Sequence, residues 1–274
     1  MFDNGLLQAC KGKTTKDGYL VLPRKSFNTT PYCYTNSKRI DKMFYQGEEY
    51  FLKLATKPEI EAEVLLSQIA TLLGLDCAIY LPVKTGIMQK LVASNNINQQ
   101  NYISSREYLS GGASYTVEPL IMPKELGERD VKYYSQFIEK DAMCNLIKIR
   151  LFQTASNNDD GNKDNMFYRL NENGIIENVS SIDNAMASNR GIGGSFYNEF
   201  CDEQLTLEEM ICNFRENETM QQFITAKELA ESIGSVNVSS VAKDIFHTMD
   251  FKIGQGLVDD ISFSYDNMAE QLIL

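Results

Sequence analysis

The stretch Asn157-Asn158-Asp159-Asp160-Gly161-Asn162-Lys163-Asp164-Asn165-Met166-Phe167-Tyr168, followed after a reversal by Ser181-Ile182-Asp183-Asn184, decides the reading of this chain. A polar loop sets four residues between Asp160 and Asn165, and an apolar run, Met166-Phe167-Tyr168-Arg169-Leu170, leaves it with the pattern of a strand. Asn171-Glu172-Asn173-Gly174 holds the Asn-Gly pair that favours a tight reversal with positive φ, and Ile175-Ile176-Glu177-Asn178-Val179 runs back. The hairpin so predicted carries Asn165 and Asp183 to one place. Upstream, Lys140 to Gln153 sets Met143, Leu146, Ile147 and Arg150 at helical spacing, and Leu151 and Phe152 extend the apolar surface toward the loop. The order is helix, acidic loop, hairpin, acid.

These residue types suit phosphoryl transfer. That reaction needs one carboxylate to orient an attacking hydroxyl and hard oxygen ligands for magnesium beside the phosphates. Asp160 fits the first task. The amide oxygen of Asn165 and the carboxylate of Asp183 fit the second, because magnesium takes one or two carboxylates and completes its shell with water and phosphate. An asparagine-rich calcium loop fits less well, since the stretch lacks EF-hand spacing with a terminal Glu.

With these residues in place the chain resembles the HipA-like serine/threonine kinases, within the wider group of protein-kinase and phosphatidylinositol-kinase-like folds. Those enzymes place an Asp, four intervening residues and an Asn after a long helix, then a hairpin that ends in a second, metal-binding Asp. Asp160, Asn165 and Asp183 fall on the three positions. The resemblance implies that Asp160 is the catalytic base and that Asn165 and Asp183 hold Mg2+. Two positions depart from the pattern: Gly161 stands where these loops usually carry His, and Asn184-Ala185 stands where ordinary protein kinases have Phe-Gly. Neither removes a ligand. The chain also shows no counterpart of the additional N-terminal subdomain of full-length HipA proteins.

The resemblance extends upstream, covering about Glu49 to Asp183. Glu49-Tyr50-Phe51-Leu52-Lys53-Leu54-Ala55 reads as a strand with one basic residue inside an apolar run, the context in which a kinase lysine reaches nucleotide phosphates. Thr56 to Glu59 fits a capping box with Pro58 in the permissive first turn, so a helix is predicted from about residue 57 to Leu73, closed by Gly74. Of its three acids, Glu59 has the capping task and Glu61 lies on a different face. The run from Glu63 to Gly74 looks like the corresponding helix of HipA-like kinases, which makes Glu63 the expected partner of Lys53. Ala78 to Lys84 and Gly86 to Ala93 read as paired strands, the second leading into the hinge that would hold adenine; Gln89, Lys90 and Leu91 are assigned to that hinge. Tyr19 to Leu22 is a strand candidate, and the polar stretch after it has donors but no Gly-rich fingerprint. Within that stretch Ser26, Thr29 and Thr30 are candidate phosphorylation sites in a mobile loop, against the plainer reading of a polar turn.

Composition bounds the partners. With 274 residues and 43% hydrophobic content the chain can bury the core of one two-lobed unit or of two small domains. A net charge of −11 argues against direct nucleic-acid binding and against adhesion to anionic membranes. The six cysteines show no zinc or redox spacing, and no apolar run approaches the roughly 18 residues of a membrane span. These features fit a bacterial cytoplasmic protein, or a secreted effector acting in a host cytosol. The expected partners are ATP, Mg2+ and an unidentified protein substrate, and self-association is compatible with the composition.

The fold class expected is α+β: a two-lobed, protein-kinase-like arrangement with an antiparallel sheet and one main helix in residues 1–93, and a mostly helical lobe in 94–274. Helices are predicted from the capping box Thr206 to Glu209, then around Thr219 to Ile233, Ser239 to Met249 and Asn267 to Leu274. His247, the only histidine, sits in a helical segment with no motif around it and reads as structural. Gly191, Gly193 and Gly194 supply a turn-rich segment after Asp183. The same residues would serve a phosphatidylinositol or small-molecule kinase, or a nucleotide-binding pseudokinase acting as an interaction module.

Overall fold

The computed structural model describes residues 14–21, 28–35, 38–45, 48–85, 88–94, 102–105, 108, 130–158, 165–182, 196–198 and 203–274. Strands β1 (Leu20–Val21), β2 (Asn28–Thr35), β3 (Lys38–Tyr45), β4 (Glu48–Leu54), β5 (Ile79–Thr85) and β6 (Met88–Ser94) form one sheet in the order β1-β5-β6-β4-β3-β2. All neighbours are antiparallel except the edge strand β1, which joins β5 in parallel. Period-2 alternation orients β4: Tyr50 and Leu52 are buried, while Lys53 lies on the opposite face at intermediate exposure.

Helix α1 (Lys57–Leu72) connects β4 to β5. Its Glu59 carboxylate accepts the Thr56 N–H at 2.6 Å, and Pro58 sits where an N–H would have no intrahelical partner. The helix stops in a Schellman motif: the Leu75 N–H reaches the Ala70 carbonyl and the Gly74 N–H that of Thr71, with Gly74 at φ +69°. Residues Ile60 to Ser67 are all buried, as a helix enclosed on more than one side requires. It packs on β5 and against α7 (Val238–Met249) of the C-terminal part. Each fully buried Leu, Val or Ile there contributes about 1.5–3 kcal/mol.

A second sheet pairs β7 (Tyr102–Ser104), β8 (Met166–Leu170) and β9 (Ile176–Ser181), all antiparallel. The short helix α2 (Val131–Tyr134) precedes α3 (Lys140–Ala155), which lies on β9 and buries Met143, Leu146, Ile147 and Arg150 as its spacing predicts. A small ribbon of β10 (Phe196–Asn198) and β11 (Glu203–Leu205) leads into α4 (Leu207–Glu216), α5 (Glu218–Gln221), α6 (Ala226–Gly234), α7 and α8 (Gln255–Ile273). Thr206 with Glu209 and Thr225 with Glu228 close capping boxes on α4 and α6. The long α8 packs against α3, α4, α6 and α7 and organises this half. Its first half, Gln255 to Asp266, lies upstream of the segment the sequence pattern marked as helical. Among the described residues, no helix is long and apolar enough to cross a membrane.

Candidate active site

Lys53 leaves the centre of the main sheet, where β4 is paired on both sides; Ile40 and Leu91 are its neighbours in register. Its Nζ meets Glu63 Oε1 at 3.6 Å, with the lysine side chain 13% exposed and the glutamate 0%. A carboxylate sealed in the α1–sheet interface stabilises the ammonium and restricts its motion, while the remaining exposure leaves that charge accessible to a ligand. Low local dielectric strengthens the attraction on the buried side.

The other half of the site is built from α3 and the β8–β9 hairpin. Helix α3 ends in a Schellman motif with Asn157 in the left-handed region at φ +52°: Asn157 N–H donates to Thr154 O and Asn158 N–H to Gln153 O. Ser156 Oγ lies 3.0 Å from Tyr265 Oη of α8, which ties the start of the acidic loop to the C-terminal helices. The chain returns at Asn165, which is buried, and its carbonyl accepts the Ile182 N–H at 2.9 Å. Met166 pairs with Ser181. The hairpin therefore sets residue 165 beside residue 182, one position before Asp183. Its turn is the tight reversal with positive φ that the Asn-Gly pair favours. Only Gly174 has positive φ, at +76°, and Asn171 Oδ1 accepts from the N–H groups of Asn173 and Ile175, giving a three-residue loop with glycine at the left-handed position.

Polar contacts join the two halves. The connector after α1 forms a parallel bridge with the end of β9: Ser181 N–H donates to Asp76 O and Ala78 N–H to Ser181 O. Cys77 Sγ lies 3.1 Å from Ser181 Oγ. Asp76 Oδ2 accepts from Asn178 Nδ2 at 2.7 Å and from Tyr102 Oη at 3.4 Å. Burial pushes the Cys77 thiol up to about 12, the carboxylates of Asp76 and Glu63 adding smaller contributions, so the thiol is neutral at ordinary pH. Burial likewise raises the Tyr168 phenol to about 12; its Oη donates to Ser105 Oγ.

Of the residues singled out in the sequence, Lys53 and Glu63 are brought together, and Asn165 is set at the β8–β9 ladder. Asp160 and Asp183 lie outside the described residues, as do Gly161, Asn184, Ser26 and the glycines at 191, 193 and 194. The assignment of Gln89, Lys90 and Leu91 to a hinge is corrected. All three lie within β6, and Lys90 and Leu91 pair with Leu54 and Lys53 on one side and with Val83 and Pro82 on the other. Lys90 and Leu91 are committed to two ladders and Gln89 pairs with Lys84 of β5, so they sit inside the sheet; β6 ends only at Ser94. Thr29 and Thr30 belong to β2, paired with Met43 and Lys42, and not to a loop. His247 is exposed in the last turn of α7. Asp76, Cys77, Asn178 and Ser181 were missed in the sequence. Their contacts span more than 100 residues, and no local pattern marks them.

No family model matches the chain, and no curated protein matches it by sequence. Solved structures do match. The proinflammatory kinase CtkA of Helicobacter pylori aligns over 93% of this chain and 99% of its own, with a TM-score of 0.55 at 14% identity. HipA of Shewanella oneidensis, solved with HipB and operator DNA, aligns over 92% of this chain and 67% of its own, with a TM-score of 0.52 at 11% identity. The fold is that of a HipA-like kinase. In this fold the six-stranded sheet and α1 bring Lys53 and Glu63 together, and the β8–β9 hairpin sets Asn165 beside Ile182. At this level of identity the likeness is one of fold.

Proposed function

We propose that this protein is an ATP- and Mg2+-dependent serine/threonine protein kinase of HipA-like type, able to phosphorylate itself. The observation that carries the reading is the Lys53–Glu63 pair, with the Cys77–Ser181 contact holding the connector after α1 against the strand that precedes Asp183 in the chain. A fixed cation and a metal-ligand position on neighbouring elements support phosphate binding. In this reading residues 1–93 form the nucleotide-binding lobe and residues 94–274 the catalytic helical lobe.

Lys53 neutralises phosphate charge, and Glu63 holds it in place. Asp160 orients the acceptor hydroxyl and takes its proton as the oxygen attacks the γ-phosphorus, while the bond to the β-phosphate oxygen breaks and ADP leaves. The amide of Asn165 and the carboxylate of Asp183 are the hard oxygen donors that suit Mg2+, and the Asn165 O–Ile182 N hydrogen bond supports their proximity. Bound Mg2+ supplies charge neutralisation at the phosphates.

Incubation with ATP labelled at the α- or the γ-phosphate, in the presence of a panel of proteins, lipids and small alcohols, tests the reading. Transfer of γ-label alone to Ser or Thr is expected. Movement of α-label would indicate nucleotidyl transfer, and γ-label found only on lipid or small molecules would overturn the protein-kinase assignment. Mg2+-dependent ATP binding without any transfer would favour a pseudokinase.

A further inference from the structure

Helix α1 is held on two faces by two acids. Glu63 and Glu61 are two residues apart and so project about 200° apart around the helix axis. Glu63 meets Lys53 of the sheet, whereas Glu61 Oε2 accepts the N–H of Gly254, the N-cap of α8, at 3.1 Å. Glu61 is buried to 8% exposure and also pairs with Lys57 at 3.6 Å.

The Asp250–Gly254 connector touches the N-terminal part again. A Cβ added to Gly18, which has φ +79°, would stand 2.0 Å from the Asp250 carbonyl oxygen, so only glycine permits this approach. Next to it the Tyr19 ring meets Phe251 edge-on, with centroids 5.3 Å apart and both side chains buried. Gly254 is equally close-fitted, since a Cβ there would stand 2.9 Å from Glu61 Oε2. Three contacts from five consecutive residues thus grip the residue 15–19 turn and the outer face of α1.

We propose that the Asp250–Gly254 connector is a brace that sets the rotation of α1, and that Glu61 is a positioning residue acting through Glu63 on Lys53. A helix turned to release Glu61 carries Glu63 away from the sheet. The inference rests on the Lys53–Glu63 pair being part of a nucleotide site.

The test is Mg2+-ATP affinity by calorimetry on the full chain, for wild type, Glu61→Ala, Glu61→Gln, Gly254→Ala, Glu63→Gln and the double variant Glu61→Ala/Glu63→Gln. Glu61→Ala is expected to weaken binding about fivefold or more. Glu61→Gln keeps an oxygen acceptor for Gly254 and should stay within about twofold of wild type. Glu61→Ala should add no further loss to Glu63→Gln, because both act on one lysine. Gly254→Ala pushes the movable end of Glu61 aside from the other partner and should weaken binding in the same direction by a smaller factor, which keeps the test decisive where Glu61→Ala fails to fold. Wild-type affinity in Glu61→Ala or Gly254→Ala, or losses that add fully with Glu63→Gln, overturns the brace and leaves the nucleotide site standing. A folded wild type that binds no Mg2+-ATP overturns the site reading, and the brace with it.

Discussion

Lys53 and Glu63 meet across β4 and α1 as opposite charges with the carboxylate fully buried, whereas the buried contacts that tie the α3–β8–β9 half to its surroundings include neutral pairs such as Cys77–Ser181 and Ser156–Tyr265, and its Arg169–Glu177 ion pair is partly exposed. The difference assigns distinct tasks. A charge pair presents one cation to solvent and makes each partner costly to remove alone, because the other is left in low dielectric. Neutral hydrogen bonds contribute about 0.5–1.5 kcal/mol each, and leaving one buried partner unsatisfied costs about 1–3 kcal/mol, less than an uncompensated buried charge. They suit a half that sets Asn165 beside Ile182.

The comparison can be broken at several points. The largest effect is expected at Asp160, where Asp160→Ala should cut phosphoryl transfer about 100-fold or more while Mg2+-ATP affinity survives, as read by single-turnover transfer beside calorimetry. Equal loss of binding and transfer would move Asp160 out of the base role. Next comes the charged half itself. Lys53→Ala leaves Glu63 buried without this cation and should lower stability by about 3 kcal/mol in denaturant melts. A loss as small as that of a neutral contact would erase the distinction between the halves.

The neutral half has a pH signature. The folded Cys77 thiol titrates at about 12 against an ordinary 9.0, so between those values the unfolded chain has lost a proton that the folded chain keeps. Below pH 9 both states are protonated and nothing changes; above it, stability falls as pH rises. From pH 9 to 10 the loss should be about 1 kcal/mol, and Cys77→Ala should flatten that slope in urea melts. The smallest effect is expected far from the site. Thr225→Ala removes the Thr225–Glu228 capping box at an exposed helix start and should cost about 0.5–1 kcal/mol in the same melts, with transfer activity unchanged.

The charged half was also the more legible in the sequence. A lysine inside an apolar strand, a Thr-Lys-Pro-Glu helix start and a Gly74 stop are local signals, and they give β4 and α1 nearly to the residue. The β8–β9 hairpin was legible from the apolar runs flanking Asn173-Gly174, and Gly174 takes the positive φ that the pair favours; the Asn171 side chain that accepts from Asn173 and Ile175 was not foreseen. Gln89 to Leu91 misled because a strand interior and a strand exit share the same apolar alternation; only the register separates them. The Asp76–Asn178, Cys77–Ser181 and Glu61–Gly254 contacts join residues 102, 104 and 193 positions apart, and nothing local to either partner announces them. The first half of α8 was obscured by its run of Gly, Asp and Ser residues, whose helical preference is weak until packing against α3, α6 and α7 decides it.

If the two halves together form a kinase site, the protein modifies itself, and intact mass spectrometry reads that modification. Wild type and Asp183→Ala are incubated with ATP and Mg2+ and weighed. A gain of one or more phosphate groups, mapped to Ser or Thr, in wild type alone is the predicted result. Unchanged mass in both proteins, together with no Mg2+-dependent ATP binding by wild type, would contradict it.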